Sequence, residues 1–262
     1  MYRSMLYVPA HSERFLSRAH ERGADAIILD LEDAVPEADK DAARAGLAAN
    51  VARVGQAGAA VLVRINSGDR AMDDARAAAA AKVAAIIVAK AEPGGLRALA
   101  PLGVPLLALL ESPAAILEAR DCAAIPAVMG TMVGGEDLAT ALGARAVPEV
   151  LRTPKLLAHY ATKAEGKLSF GMLRSIADYT DLAAIKVSAE EARMHGFDGA
   201  SCVHPSVVPV LNAAFAPSAE EIAWAKRVVE AATRNDGAFA LDGQMVDKPV
   251  VERARAVLAK AR

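Results

Sequence analysis

Short apolar runs recur along the chain at residues 4–8, 26–31, 60–65, 84–89, 104–110 and 126–133, and stretches of mixed polarity with helical spacing separate them. An apolar run without polar alternation marks a strand covered on both faces, and the intervening stretches are long enough to serve as helical crossovers. Two shorter runs, 167–170 and 199–203, bring the number of predicted strands to eight. Eight parallel strands alternating with helices predict a closed α/β barrel of the TIM (β/α)8 type rather than an open sheet.

Local chemistry supports several helix starts. Ser112-Pro113 and Thr153-Pro154 each read as an N-cap followed by proline at the first helical position. Ser218 and Glu221 make a capping-box pair, after which Ile222, Ala225, Val229 and Ala232 fall on one helical face. The alanine-rich stretch 75–85 reads as helix leading into the fourth strand. The barrel is expected to occupy residues 1–206. Residues 207–262 are expected to form a C-terminal helical extension of the same domain, with a lid loop at 235–249 that holds two Asp-Gly pairs.

With 262 residues, 54% of them hydrophobic, the chain has material for a sizeable core. Its 30 basic and 32 acidic residues nearly cancel and are scattered, which argues against a nucleic-acid partner. Cys122 and Cys202 are too few for a disulfide framework or a cysteine metal knuckle and suit a reducing compartment. The N-terminal apolar stretch is shorter than a secretory core. The most apolar region, 77–89, is interrupted by Lys82 and falls short of the ~20 residues a membrane span needs. These features predict a cytoplasmic protein with no membrane partner.

In a barrel of this kind the active site lies at the carboxyl ends of the strands. Position therefore nominates Asp30, Glu32 and Asp33 after the second strand, Arg64 after the third, Lys90 after the fourth, Glu111 after the fifth, Glu136 and Asp137 after the sixth, and His204 after the eighth. Glu111 ends the run Leu-Leu-Ala-Leu-Leu, and a carboxylate beside a core requires a partner for its charge. A divalent cation held by Glu111 and Asp137, with Arg64 taking the carboxylate of an organic anion, meets that requirement. Magnesium suits two oxygen donors because it keeps waters and leaves positions for substrate oxygens, whereas zinc favours His and Cys. Plainer uses stand beside these. Glu111 and Asp137 would also complement helix N-termini, Arg64 would also serve as a structural ion-pair partner, and His204 as a turn histidine. Asp30, Glu32 and Asp33 would also pair with Arg3, Arg14 or Lys90.

Several longer motifs narrow the reading. Arg3-Ser-Met-Leu-Tyr-Val-Pro9, Leu29-Asp-Leu-Glu-Asp-Ala-Val35, Val63-Arg-Ile-Asn66, Gly134-Gly-Glu-Asp-Leu138, Cys202-Val-His-Pro205 and Asp242-Gly-Gln-Met-Val-Asp-Lys-Pro249 occur in this order along the chain. Together they resemble the citrate lyase beta-subunit-like branch of the HpcH/HpaI aldolase family, nearly end to end. The resemblance implies a barrel enzyme, a homotrimer or homohexamer, that makes or breaks a carbon–carbon bond in an acyl-CoA ester using Mg2+. It implies Glu111 and Asp137 as magnesium ligands and Arg64 as the binder of the substrate carboxylate. It further implies Asp247 as an acid/base that reaches a neighbouring subunit's site and Arg14 as a basic position around the substrate, where strand-end position also puts Glu32, Asp33 and Lys90. Ala10 and His11-Ser12 depart from the glycine and the arginine-rich turn usual in the family, a change that bears on the phosphates of CoA. The stretch 168–181 is similar to one subgroup of CoA-ester lyases rather than to the citrate lyase subunit itself.

The expectation is a magnesium-dependent lyase that cleaves a citramalyl-CoA, malyl-CoA or citryl-CoA type substrate to an acyl-CoA and a 2-oxo acid, or forms it by condensation. A metal-dependent aldolase on free hydroxy-oxo acids and a non-catalytic CoA- or metabolite-binding relative stand as alternatives.

Overall fold

The computed structural model describes residues 2–235 and 237–261. Its strands are β1 (Ser4–Pro9), β2 (Ala26–Asp30), β3 (Ala60–Ile65), β4 (Ala85–Val88), β5 (Leu106–Leu110), β6 (Val128–Val133), β7 (Leu168–Phe170) and β8 (Ala200–Cys202). They follow the eight apolar runs, with ends shifted by one or two residues. Strands adjacent in sequence pair in parallel from β1 to β7, and β8 pairs with β1. A bridge between Phe170 and Gly199 closes the circle, so the sheet is the expected barrel.

Side chains from alternate strand positions fill the interior. Ala26 and Ala85 lie among Met5, Ile28, Ile87, Met132 and Phe170, all buried, so small and large residues interleave in one packed core. Closure depends on Gly199, whose φ is +159° and whose missing Cβ would stand 1.9 Å from the carbonyl oxygen of Tyr2. No side chain fits there without moving the β1 backbone.

Helix starts follow the expected chemistry with one correction. Ser112 caps the helix Pro113–Leu117 by accepting from the Ala115 N–H, and Ser218 with Glu221 forms the complete capping box of the helix Ala219–Ala232. Thr153-Pro154, however, starts nothing. Pro154 lies inside the helix Pro148–Ala164, which begins at Pro148 after an extended Val147. Leu151, Lys155, Ala158, His159 and Thr162 form one buried face that runs across the proline. Burial of that face outweighs the ~3 kcal/mol that an internal proline costs.

The chain divides into two compact units, Tyr2–Ala214 and, at the C-terminal end, Phe215–Arg262. The helix Val208–Ala214 belongs to the first. In the second, the helices Ala219–Ala232 and Lys248–Lys260 pack around Ala225, Val228, Val246 and Ala254. Between them the predicted loop contains a hairpin, β9 (Phe239–Leu241) and β10 (Gln244–Val246). Its turn is Asp242-Gly243, both at positive φ (52° and 74°), the two-residue geometry that twists with its strands. Among the described residues no helix is long and apolar enough to cross a membrane.

Gly199→Ala is expected to destabilise the barrel by about 3 kcal/mol or more, since it combines a backbone clash with a disfavoured φ. Urea unfolding of the two proteins measures it; a change below about 1 kcal/mol would show that closure tolerates a side chain there.

Candidate active site

The strand register brings the candidate residues together. Asp30 and Arg64 are register partners at the ends of β2 and β3, and the guanidinium meets the carboxylate edge to edge, Nε to Oδ1 at 2.7 Å and Nη2 to Oδ2 at 2.6 Å. Nη1 faces Glu32 Oε2 at 2.8 Å and Asp33 Oδ2 at 3.5 Å. The ring of Tyr7, from β1, lies 5.1 Å from the guanidinium carbon, a cation–π contact. Lys90 Nζ reaches the other oxygen of Glu32 at 3.2 Å. Of the pairings considered for these acids, the Lys90 one forms for Glu32, while Asp30 takes Arg64 and Arg3 takes Asp25.

Glu111 is 5% exposed at the end of β5. Its Oε2 accepts the backbone N–H of Lys90 at 2.7 Å. Lys90 is a non-glycine residue at positive φ (49°), so the amide is presented by a backbone conformation that L-residues rarely adopt. On the other side Gly134 leaves room for the carboxylate, because a Cβ there would stand 2.6 Å from Glu111 Oε1. Burial pushes the Glu111 carboxyl up to about 7; the Lys90 hydrogen bond opposes this, and the charges of Glu32 and Asp137 add to it. Burial also raises the Glu32 carboxyl, against the pull of Arg64.

Asp30, Asp33, Arg64, Glu111, Glu136 and Asp137 all line one cavity of about 440 Å³ at the carboxyl end of the barrel. Tyr7, Leu109, Met132, Phe170, Met172, Ile176 and Ala177 line it as well, so the cavity combines a charged part with an apolar one. Arg14 is exposed on the short helix Glu13–Leu16, 5.5 Å from the Phe15 ring, and does not line this cavity. His204 accepts the Ser206 N–H through Nδ1 and stacks on Tyr179 at 4.8 Å, the behaviour of a turn histidine. Asp247 lies in the C-terminal unit, where it is the N-cap of the last helix and accepts from the Val250 N–H at 3.3 Å.

Three contributors escaped the reading of strand ends. Tyr7 lies within β1 rather than at its end. Gly134 contributes an absent side chain. Lys155, buried, lines the cavity from a helix, and burial draws its ammonium down to about 8. A lysine on the buried face of an amphipathic helix is the signal that identifies it.

A metal fits this donor set. Glu111 and Asp137 offer oxygen only, no His or Cys among the described residues lines the cavity, and a dication would offset the burial and repulsion that raise Glu111. Among the described residues no group of three or more His, Cys, Asp or Glu side chains is disposed to hold an ion. Two protein donors leave most of an octahedral shell to water and substrate, the habit of magnesium rather than of structural zinc.

A model of the HpcH/HpaI aldolase/citrate lyase family matches residues 3–94 and 74–205. The chain belongs to this family. It is 37% identical to a citrate lyase subunit beta-like protein of Mycobacterium tuberculosis over 268 residues, 98% of this chain and 94% of that protein. It is 36% identical to a (3S)-malyl-CoA thioesterase of Cereibacter sphaeroides over 272 residues, 99% of this chain and 94% of that enzyme. Among solved structures, CitE of Mycobacterium tuberculosis in complex with magnesium, acetoacetate and coenzyme A superposes with a TM-score of 0.82 at 34% identity, covering 98% of this chain and 97% of that one. CitE with magnesium and pyruvate gives a TM-score of 0.75 at 29% identity, covering 97% of each chain. Magnesium is thus bound by solved members of this family.

The raised Glu111 carboxyl has a sign that can be measured. Its folded value of about 7 exceeds the ordinary 4.5, so this group's contribution to the stability of the metal-free protein is present below pH 4.5 and is lost as pH rises through 7. Glu111→Gln is therefore expected to stabilise the metal-free protein at pH 8 by up to about 3 kcal/mol and to change little at pH 4.5, in urea melts with chelator present.

Proposed function

We propose that this chain is a magnesium-dependent carbon–carbon lyase acting on a 3-hydroxy-3-carboxy acyl-CoA of the citramalyl-CoA, malyl-CoA or citryl-CoA type, with an acyl-CoA and a 2-oxo acid as products. The observation that carries this reading is the buried Glu111 carboxylate, raised by burial and by the neighbouring acids against the opposing Lys90 amide, in a cavity with an apolar part. A dication beside this carboxylate would offset the charge that burial disfavours, in place of a proton. CitE, a solved relative, holds magnesium with acetoacetate and coenzyme A, the ligand classes this reaction requires.

In this reading Glu111 and Asp137 hold the ion, and two carboxylates neutralise its charge. When bound, magnesium supplies a Lewis acid beside the substrate hydroxyl and carboxylate. The Nε–Nη2 edge of Arg64 is committed to Asp30, so Nη1, shared with Glu32 and Asp33, is the part that meets the substrate carboxylate. Glu32, Asp33 and Lys90 orient that guanidinium and surround the substrate. In cleavage a base takes the hydroxyl proton, the freed oxygen pair forms the carbonyl of the 2-oxo acid, and the bond between that carbon and the carbon beside the thioester breaks. The electron pair passes into a thioester enolate, which takes a proton from Asp247 at that carbon to give the acyl-CoA. Arg14 remains a candidate for the CoA phosphates at a basic position on the exposed helix Glu13–Leu16. The reading extends to a cytoplasmic homotrimer or homohexamer, with Asp247 supplied by the same or a neighbouring subunit.

The (3S)-malyl-CoA thioesterase relative favours a second reading, hydrolysis of the thioester bond in the same substrate class. Incubation with malyl-CoA and citramalyl-CoA separates the two. A lyase gives a 2-oxo acid and an intact acyl-CoA; a thioesterase gives free thiol and a hydroxy-dicarboxylate. Neither product, with or without magnesium, sinks both.

Asp137→Asn and Glu111→Gln are expected to lower magnesium affinity at least 100-fold by calorimetry. In the wild type that affinity should fall about tenfold per pH unit below about 7 and level off above it, because Glu111 must lose its proton to bind. Asp247→Asn keeps a helix cap and is expected to retain substrate binding while losing turnover by at least 100-fold. Wild-type turnover in that variant removes Asp247 from the mechanism.

A further inference from the structure

Residues 171–181 link β7 to the helix Leu182–Met194 without regular structure. Met172, Leu173 and Ser175 of this link are buried, yet among the described residues no backbone–backbone hydrogen bond involves positions 172–179. Buried backbone without such bonds must find side-chain partners. Lys155, in the helix Pro148–Ala164, provides them. It is 4% exposed, and its Nζ donates to the carbonyl oxygens of Met172 at 2.9 Å and Arg174 at 2.7 Å. An ammonium that sheds its water is tolerated where such acceptors replace it. The adjacent helix Gly135–Ala141 adds a second tie, since Glu136 accepts the Ser175 hydroxyl, whose oxygen in turn accepts the Ala177 N–H at 3.1 Å. One irregular segment is thus fastened by side chains from two successive helices.

That segment contributes Met172, Ile176 and Ala177 to the apolar part of the cavity, whereas the candidate metal ligands follow β5 and β6. We propose that Lys155 is a positioning residue for acyl-group selection: by fixing the Met172 and Arg174 carbonyls, with Glu136 and Ser175 as a second fastening, it sets how far Met172, Ile176 and Ala177 intrude on the cavity and so which acyl unit of a thioester is accepted. The inference rests on the CoA-ester reading above. A pocket wall of this kind discriminates one methylene by about 10–200-fold, so a small displacement is readable in relative rates.

The test compares wild type, Lys155→Met and Ser175→Ala in condensation of acetyl-CoA or propionyl-CoA with a 2-oxo acid, alongside amide hydrogen exchange and magnesium calorimetry. Lys155→Met is expected to speed exchange over positions 172–177 at least tenfold and to change the propionyl-to-acetyl ratio of kcat/KM at least fivefold, with magnesium Kd within twofold of wild type. Ser175→Ala should shift the same ratio in the same direction by at least twofold. Should Lys155→Met fail to fold, Ser175→Ala decides alone. Folded variants with the wild-type ratio overturn the assignment, as does wild-type exchange over 172–177 in Lys155→Met. A wild-type protein that turns over no thioester is a separate failure, that of the underlying function, and overturns this assignment with it.

Discussion

A carboxylate deprived of water organises the end of this barrel. Glu111 is held by a backbone amide on one side and a glycine-sized gap on the other, and neither contact neutralises it. Its proton affinity rises because burial and the charges of Glu32 and Asp137 all disfavour the anion. The neighbouring charges are differently placed. Asp30 and most of Glu32 are matched to Arg64 and Lys90 in a connected set of ion pairs, so the positive charge near the cavity is largely engaged before any ligand arrives. The charge left uncompensated at Glu111 and Asp137 is what the proposed hard cation would offset.

Much of the barrel was legible because a parallel strand buried on both faces leaves an apolar run in the sequence. The runs at 60–65 and 4–8 map onto β3 and β1 almost without shift. Placing charged residues at strand ends then anticipated that Asp30, Arg64, Glu111 and Asp137 line one cavity, since in this architecture strand ends converge. What the pattern could not convey were roles played by backbone and by absence. Lys90 was nominated for its ammonium, yet its amide, at a left-handed φ, is what touches Glu111. Gly134 looks like turn punctuation until a Cβ is imagined against the Glu111 carboxylate. Arg14, named through the resemblance rather than by a strand end, lies exposed on the short helix Glu13–Leu16 and outside the cavity lining.

Two other readings gave way for different reasons. Thr153-Pro154 has the local chemistry of a helix start, but the apolar face from Leu151 to Thr162 carries the helix through it, so tertiary burial overrode a local rule. Asp242-Gly243 was read as loop although it is a strong two-residue hairpin signal, because the strands it joins have only three residues each. Short strands give almost no periodicity, and the turn was the better witness.

The main-chain origin of the Lys90 contact has a consequence for divergence within such barrels. A carboxylate steered by an amide does not depend on the chemical nature of the side chain that follows β4, only on the chain continuing to coil the wrong way at that point. Exchange of the residue at position 90 for asparagine or glycine, which enter at least conformational cost, would therefore keep the amide that Glu111 accepts from while giving up the ion pair with Glu32.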